Sequence, residues 1–352
     1  MKINFILPGL GSSGGIEVVE KYVEIMNKNG NDAVIYSYII NPNLHRYNNS
    51  LMNLIHQIYC TIKSIFILIS GKKKSYKWVL KIDNKSIRNA DFTIATMWAT
   101  AFQVNDLSPD CGKKIYFIQG FEIWDNKDLG LKSYTLPLKK IVISSWINYK
   151  LYQELGLGPF PIVYNGMDTK TYKMDVCNKS NGSEIKLLML NHKMPQKGVA
   201  NGLLVFEKIR DNYVNCQLRM FGMCNHLNLP DYVEYYQNPT KEKIIELYTS
   251  SDIFIFPSLE EGWGLAPLEA MACGCAVVGS NTGFVLDLGS HEKNMMISEV
   301  GDINEMTLNI EKLIKNKELM KSIKEKGINT TRDLDWKKSY EQFLSILLEE
   351  LK

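Results

Sequence analysis

The chain has 352 residues, 41 Lys and Arg against 38 Asp and Glu, 45 % hydrophobic residues and 22 % charged ones. That length suits two domains, and that balance excludes a disordered chain, a collagen and a coiled coil. A net charge of +3 offers no large single-sign field, which speaks against a dedicated nucleic-acid binder.

Lys2–Leu7 predicts a first strand, apolar throughout as in a parallel sheet covered on both faces. A glycine turn follows, Gly9-Leu10-Gly11-Ser12-Ser13-Gly14-Gly15. Ile16–Asn29 has helical periodicity through Val19, Tyr22, Val23 and Met26, and Gly30 is its stop. Ala33–Ile39 predicts the second strand, which completes a βαβ unit. Residues 51–70 form an apolar helical pattern broken by Asn53, His56, Gln57 and Lys63, with Lys72, Lys73 and Lys74 behind it. The breaks exclude a membrane span, which needs roughly 20 apolar residues. The stretch reads either as core or, through 51–74, as a peripheral contact with an anionic membrane.

Phe92–Met97, Lys114–Gln119 and Lys140–Ser145 predict further strands. Residues 174–184 lose all periodicity and read as the linker. The alternation then restarts: strand Ile185–Leu190, helix Gly198–Arg210, strand Gln217–Phe221, helix Lys241–Ser250, strand Asp252–Phe256, helix Leu265–Cys273 and strand Ala276–Gly279. The expected fold class is therefore α/β with parallel sheets, in domains 1–173 and 184–335 with a closing helix 336–352. Met1 leads into an apolar run that Pro8 ends too soon for a signal core, so a cytoplasmic location is expected. Seven cysteines, none at paired zinc-ligand spacing, predict reduced thiols.

Gly9, Gly11 and Gly14 satisfy G-x-G-x-x-G between a strand and a helix, the context of a dinucleotide fingerprint. That fingerprint needs a carboxylate at the end of the second strand to hold a ribose hydroxyl. Here the strand ends Tyr36-Ser37-Tyr38-Ile39-Ile40-Asn41. That missing carboxylate speaks against a dinucleotide-binding hydride-transfer enzyme, the least favoured of three readings; the other two are a plain tight turn and a glycine loop that meets a diphosphate with the helix N-terminus as its anion site.

Residues 252–279 carry the most information. Phe254–Phe256 predicts a buried strand that Pro257 ends. Gly262 and Gly264 permit close backbone approach to a ligand. Pro267 fits the first turn of a helix, and Gly274 closes it. Glu261 on the loop and Glu269 about one turn into the helix can face one point beyond the strand's carboxyl end, where open α/β sheets bind ligands. Helix capping is the competing reason for two carboxylates there.

The spacing of Glu261 and Glu269, with Gly262, Gly264, Ala270-Met271-Ala272 and Gly274, resembles the retaining nucleotide-sugar glycosyltransferases of family 4, among the group 1 glycosyltransferases. Asn165-Gly166-Met167-Asp168 with Tyr172, Lys197-Gly198, and Thr282-Gly283 before Asp287 resemble further motifs of that family. The resemblance implies the GT-B architecture, two facing Rossmann-like domains with a cleft between them. It implies that Glu269 takes the ribose hydroxyls, that Glu261 with Gly262, Gly264 and Leu265 holds the transferring sugar, that Lys197 neutralises the diphosphate, and that Gly14 and Gly15 close over it. It implies no cofactor and no metal. The implied partners are a nucleotide-sugar donor and a glycan or lipid-linked acceptor, in bacterial surface polysaccharide assembly at the inner face of the plasma membrane. Where the family has Arg, this chain has His192, so either a protonated His192 or Lys193 supplies the second positive charge. Phe284, Asp287 and Ala276 are further departures.

Gln119, Glu122 and Trp124, after an apolar strand, are the expected acceptor-side residues, with Glu122 as an orienting group or base. Tyr235, Tyr236 and Asn238 are expected near the base of the nucleotide. Asp333-Leu334-Asp335 matches an Asp-x-Asp metal site but lies just before a helix, where capping explains it. The alternatives are a nucleotide-sugar epimerase of similar architecture and a catalytically silent sugar-nucleotide binding protein.

Overall fold

The structure is a computed structural model and describes residues 1–9, 14–39, 58–62, 66, 74–123, 126–173, 184–225 and 229–352. The chain divides into two compact units. Met1–Ile143, Ile147–Val163 and Tyr340–Lys352 form one; Ser144–Trp146 and Tyr164–Ser339 form the other.

The first unit carries strands β1 (Lys2–Ile6), β2 (Asp32–Tyr38), β3 (Tyr76–Val79), β4 (Phe92–Ala95), β5 (Lys113–Ile118) and β6 (Lys139–Val142). They form one sheet in the order β3-β2-β1-β4-β5-β6, and every pair is parallel. Ile3, Phe5, Ile94, Ile115 and Phe117 are fully buried, which is why these strands read as unbroken apolar runs. Asn4 is buried among them with its amide satisfied: Nδ2 donates to Arg88 O and Thr93 Oγ1, and Oδ1 accepts from Arg88 Nε. Helix α1 (Gly14–Lys28) buries Val19, Tyr22, Val23 and Met26. Helices α2 (Trp98–Asn105), α3 (Lys127–Thr135) and α4 (Ser145–Leu155) follow.

The second unit repeats the plan with β7 (Ile185–Asn191), β8 (Cys216–Gly222), β9 (Val233–Gln237), β10 (Ile253–Phe256), β11 (Ala276–Ser280) and β12 (Met296–Ser298). Their order is β12-β11-β10-β7-β8-β9, again parallel throughout. The helices are α5 (Val199–Asn212), α6 (Lys241–Thr249), α7 (Leu265–Ala272), α8 (Val285–Leu288), α9 (Ile303–Lys315) and α10 (Lys317–Arg332). Ile253, Phe254, Ile255 and Phe256 of β10 are all buried. Their transfer from water contributes on the order of 10 kcal/mol in gross terms. The strand order reverses between β7 and β10, so the loops after these two strands part and leave a crevice at the carboxyl edge of the sheet. In the first sheet the same reversal lies between β1 and β4.

The last helix, α11 (Trp336–Leu351), places Phe343 in the first unit, where its ring centroid is 5.1 Å from Phe117 and 5.0 Å from Tyr22. The expected linker lies outside the described residues, apart from Glu184. Of 51–74, residues 58–62, 66 and 74 are described. Ile58, Tyr59, Ile62 and Phe66 are exposed there. Among the described residues no helix is long and apolar enough to cross a membrane. The six described cysteines are free thiols.

Candidate active site

Two loops at the carboxyl edge of the second sheet are joined by main-chain contacts. The loop after β7 runs through His192 and Lys193 into a short 3-10 turn, Pro195–Lys197. The carbonyl of Gln196 in that turn accepts the N–H of Leu259 at 2.7 Å and of Glu260 at 3.2 Å, both from the loop after β10. Gly198 follows with φ +62°, its backbone so close to the end of β10 that a Cβ would stand 2.0 Å from Pro257 O. This splice brings Lys197 Nζ to 2.5 Å from Glu261 Oε2. The side chains are 24 % and 15 % exposed, so the pair is a charge-assisted bond in a partly dry setting, stronger than a surface ion pair.

Three further contacts fix the loop that carries Glu261. Its N–H donates to Thr282 Oγ1 at 3.2 Å. Phe284 N–H donates to Trp263 O at 2.8 Å, and Ser144 Oγ donates to Gly262 O at 2.6 Å. Behind them the Trp263 ring stacks on Tyr164 at 5.0 Å and meets Phe284 edge-on at 6.4 Å. Asp287, one turn on, accepts from Ser145 N at 3.0 Å, Ser145 Oγ at 2.5 Å and Tyr164 OH at 3.0 Å. Burial and the charge of Asp287 push the Tyr164 phenol up to about 12.

Gly264 is the residue before α7, Leu265 its first residue, and Pro267 lies in its first turn, where a missing N–H costs nothing. Cys275 N–H returns to Ala270 O at 2.9 Å and Gly274 N–H to Met271 O at 3.0 Å, which closes the helix. Glu269, inside this helix, accepts from Tyr248 OH at 3.1 Å. Tyr248 is fully buried. Burial first, and the Glu269 charge second, hold its phenol well above its ordinary value, so it stays a donor. The two carboxylates thus meet different partners: Glu261 an ammonium, Glu269 a phenol.

The His192 ring accepts the Met194 N–H on Nδ1 at 3.1 Å, so in its neutral form the proton sits on Nε2. Burial, then the neighbouring Lys197 charge, lowers its pKa below the ordinary histidine value, with Glu261 acting the other way. The neutral form of His192 is thereby favoured, and Lys193 beside it is exposed. At the carboxyl end of the edge strand β9, Tyr235 OH donates to Cys224 O at 2.5 Å. Tyr236 OH bonds Glu234, and Asn238 N–H donates to Gly222 O at 2.7 Å.

At the carboxyl edge of the first sheet, Gly14 and Gly15 open α1, and a Cβ on Gly15 would lie 3.4 Å from Gln119 Oε1. That oxygen is buried with no hydrogen-bond partner among the described residues. Glu122 Oε2 accepts the Trp98 N–H at 2.8 Å, at the first residue of α2, so this carboxylate serves a helix N-terminus. Trp124 lies outside the described residues. Asp335 Oδ1 accepts the Lys337 N–H at 2.5 Å and Asp333 pairs with Lys338 at 2.6 Å, so the Asp-x-Asp carboxylates are engaged at the start of α11. Tyr248 and Ser144 were absent from the sequence reading. The available signal for Tyr248 was its place at the end of α6, just before the strand that feeds the site.

Residues 174–330 match the family model described as glycosyl transferases group 1. An uncharacterized glycosyltransferase of Haemophilus influenzae is 24 % identical over 98 % of this chain and 99 % of its own length. The capsular polysaccharide biosynthesis glycosyltransferase CapM of Staphylococcus aureus is 24 % identical over 90 % of this chain and 89 % of its own. Among solved structures, sucrose-phosphate synthase from Thermosynechococcus elongatus aligns over 100 % of this chain and 99 % of its own, with TM-score 0.75 and 14 % identity. The Anabaena protein HepE, in complex with UDP and glucose, aligns over 99 % of this chain and 100 % of its own, with TM-score 0.69 and 14 % identity. Both likenesses are of the GT-B fold.

Proposed function

We propose that this chain, whose residues 174–330 match the family model of the group 1 glycosyl transferases, moves a sugar, with retention of configuration, from a nucleotide-sugar to a glycan or lipid-linked acceptor in surface polysaccharide assembly. One observation carries the reading. At the reversal point of the second sheet a cation, Lys197, stands 2.5 Å from the carboxylate of Glu261, and Glu269 projects from the helix that follows. A nucleotide-sugar asks for this set: positive charge for the diphosphate, and carboxylates for the hydroxyls of ribose and sugar.

In this reading Glu269 accepts from the ribose hydroxyls. Glu261, with Gly262, Gly264 and Leu265, holds the transferring sugar. Lys197 lies beside the diphosphate, with Lys193 and the neutral His192 Nε2–H as further donors. As the glycosyl bond breaks, negative charge grows on the leaving diphosphate, and fixed cations stabilise it more than they stabilise the donor. The leaving phosphate oxygen then takes the proton of the acceptor hydroxyl, and no metal is needed to balance the charge. The sequence likeness to a capsular polysaccharide glycosyltransferase supports the setting. The exposed Ile58, Tyr59, Ile62 and Phe66 support work at an anionic membrane face, which flotation with anionic vesicles at low salt checks; no binding there excludes it.

A thermal-shift panel with UDP, GDP, dTDP, CDP, ADP and NADH tests the donor reading. At 100 times Kd a ligand adds about 2.7 kcal/mol, a rise of roughly 5–10 °C for a unit of this size. A rise with one nucleoside diphosphate is expected. A rise with NADH alone, or with none of the six, refutes the proposal.

A further inference from the structure

We infer that Tyr248 is a positioning residue for nucleoside binding, its phenol holding the Glu269 carboxylate in the orientation that accepts the ribose hydroxyls. The inference rests on the role of Glu269 given above and deepens it.

The phenol is immobile. Its ring is fully buried and meets Phe221 at 5.7 Å, Phe254 at 5.9 Å and Tyr172 at 6.3 Å, with interplanar angles of 89°, 60° and 66°. These neighbours come from β8, β10 and the segment before the linker, so the ring is wedged from three directions. Its main chain is tied as well: the carbonyl of Tyr248 accepts the Cys275 thiol at 3.0 Å and the Ser251 N–H at 3.2 Å. Glu269 has the opposite character. Its carboxylate ends a flexible side chain on a short helix and is only partly buried. A carboxylate in that position samples several rotamers unless something holds it. The Tyr248 O–H reaching Glu269 Oε2 at 3.1 Å is such a hold. A vicinal diol is recognised best by a carboxylate whose plane is already set, because the ordering cost has then been met before the ligand arrives. Burial and the Glu269 charge hold the phenol's pKa above its ordinary value, which favours its role as a donor.

The test uses the full-length chain, the nucleoside diphosphate that gives the largest shift in the panel above, and its 2′,3′-dideoxy counterpart. Kd is measured by calorimetry for wild type, Tyr248→Phe, Glu269→Ala and the double variant. Tyr248→Phe keeps the ring and removes only the hydroxyl. It is expected to raise Kd for the ribose ligand about 3- to 10-fold, as loss of one oriented hydrogen bond does, while Kd for the dideoxy ligand changes less than about 2-fold. The double variant is expected to bind no more weakly than Glu269→Ala. Equal weakening of both ligands by Tyr248→Phe overturns the inference, because that is what a structural defect produces. Loss of ribose preference in Glu269→Ala with the preference intact in Tyr248→Phe overturns the inference and leaves the Glu269 role standing. Ribose preference retained in Glu269→Ala overturns that role, and the inference with it.

Discussion

Replacing Gly198 with Ala tests whether the two site loops are spliced through their main chains. Two costs add. The backbone there has φ +62°, a left-handed conformation that costs a residue with a Cβ about 1–2 kcal/mol. The new Cβ would stand 2.0 Å from Pro257 O, against 3.4 Å or more for an ordinary contact, so about 1.4 Å must be recovered. Pro257 follows the fully buried β10, and forced displacements in packed surroundings cost about 1–3 kcal/mol. The loss of freedom in the unfolded chain returns about 0.4–1 kcal/mol. The net is a destabilisation of about 3 kcal/mol, or a fall of roughly 6–12 °C in the Tm of the second unit. Gly30→Ala is the control. Its φ is +79° but nothing lies within 4 Å of the added Cβ, so only the conformational cost, about 1 kcal/mol or less after the same return, applies. Calorimetric melts of both variants decide the matter. Lys197 precedes Gly198, so nucleoside diphosphate affinity in Gly198→Ala is expected to fall with stability. A Gly198→Ala protein that melts within about 2 °C of wild type, which is about 1 kcal/mol or less, or no lower than Gly30→Ala, refutes the splice.

Under the proposed function, Lys197→Ala removes the cation beside the diphosphate and leaves the Glu261 carboxylate without its ammonium partner. The expected loss in kcat/KM is about 100-fold or more, and a loss under about 5-fold counts against the assignment. Lys193→Ala, at an exposed position, is expected to cost about 2- to 10-fold and to converge with wild type at 1 M salt, where the screening length is about 3 Å. Glu269→Ala is expected to raise Kd for the bare nucleoside diphosphate about 10-fold, whereas Glu261→Ala mainly lowers kcat; equal affinity in Glu269→Ala and wild type contradicts the division of roles. His192 has a folded pKa below its unfolded value, so the unfolded chain binds more protons as pH falls from about 6.5. Stability is therefore full above that pH and declines below it. His192→Gln is expected to flatten the drop in urea midpoint between pH 7 and pH 5.5, and an unchanged drop shows that other groups cause it.

Strands buried on both faces were legible, because nothing but apolar residues can occupy them. Lys2–Ile6 and Ile253–Phe256 are of this kind; the pair Glu261 and Glu269 stood out by its spacing, and Gly198 only through the resemblance of Lys197-Gly198 to a family motif. Apart from Lys139–Val142, edge strands were not legible. Val233–Gln237 is half exposed along its length and Met296–Ser298 has three residues, so neither leaves a run that a period can detect. The partners of the site residues were hidden for a different reason. Tyr248 lies 21 positions from Glu269, and Thr282 lies 21 positions from Glu261. Such pairings arise from register across a parallel sheet, and one sequence carries no local mark of them. The burial and the Lys197 charge that lower the His192 pKa are likewise products of folding that one sequence does not mark.

The frame that sets Lys197 against Glu261 is made of carbonyls and N–H groups: Gln196 O with Leu259 and Glu260, Phe284 N–H with Trp263 O. Every residue other than proline carries those atoms. Side chains around this frame can therefore be exchanged without disturbing where the charged pair stands. Under the proposed function, preference for one sugar over another is then separable from the ability to bind a diphosphate. Directed evolution toward a new donor has a natural place to begin, with libraries at 192, 193 and 263 built on an untouched Gln196, Lys197 and Gly198.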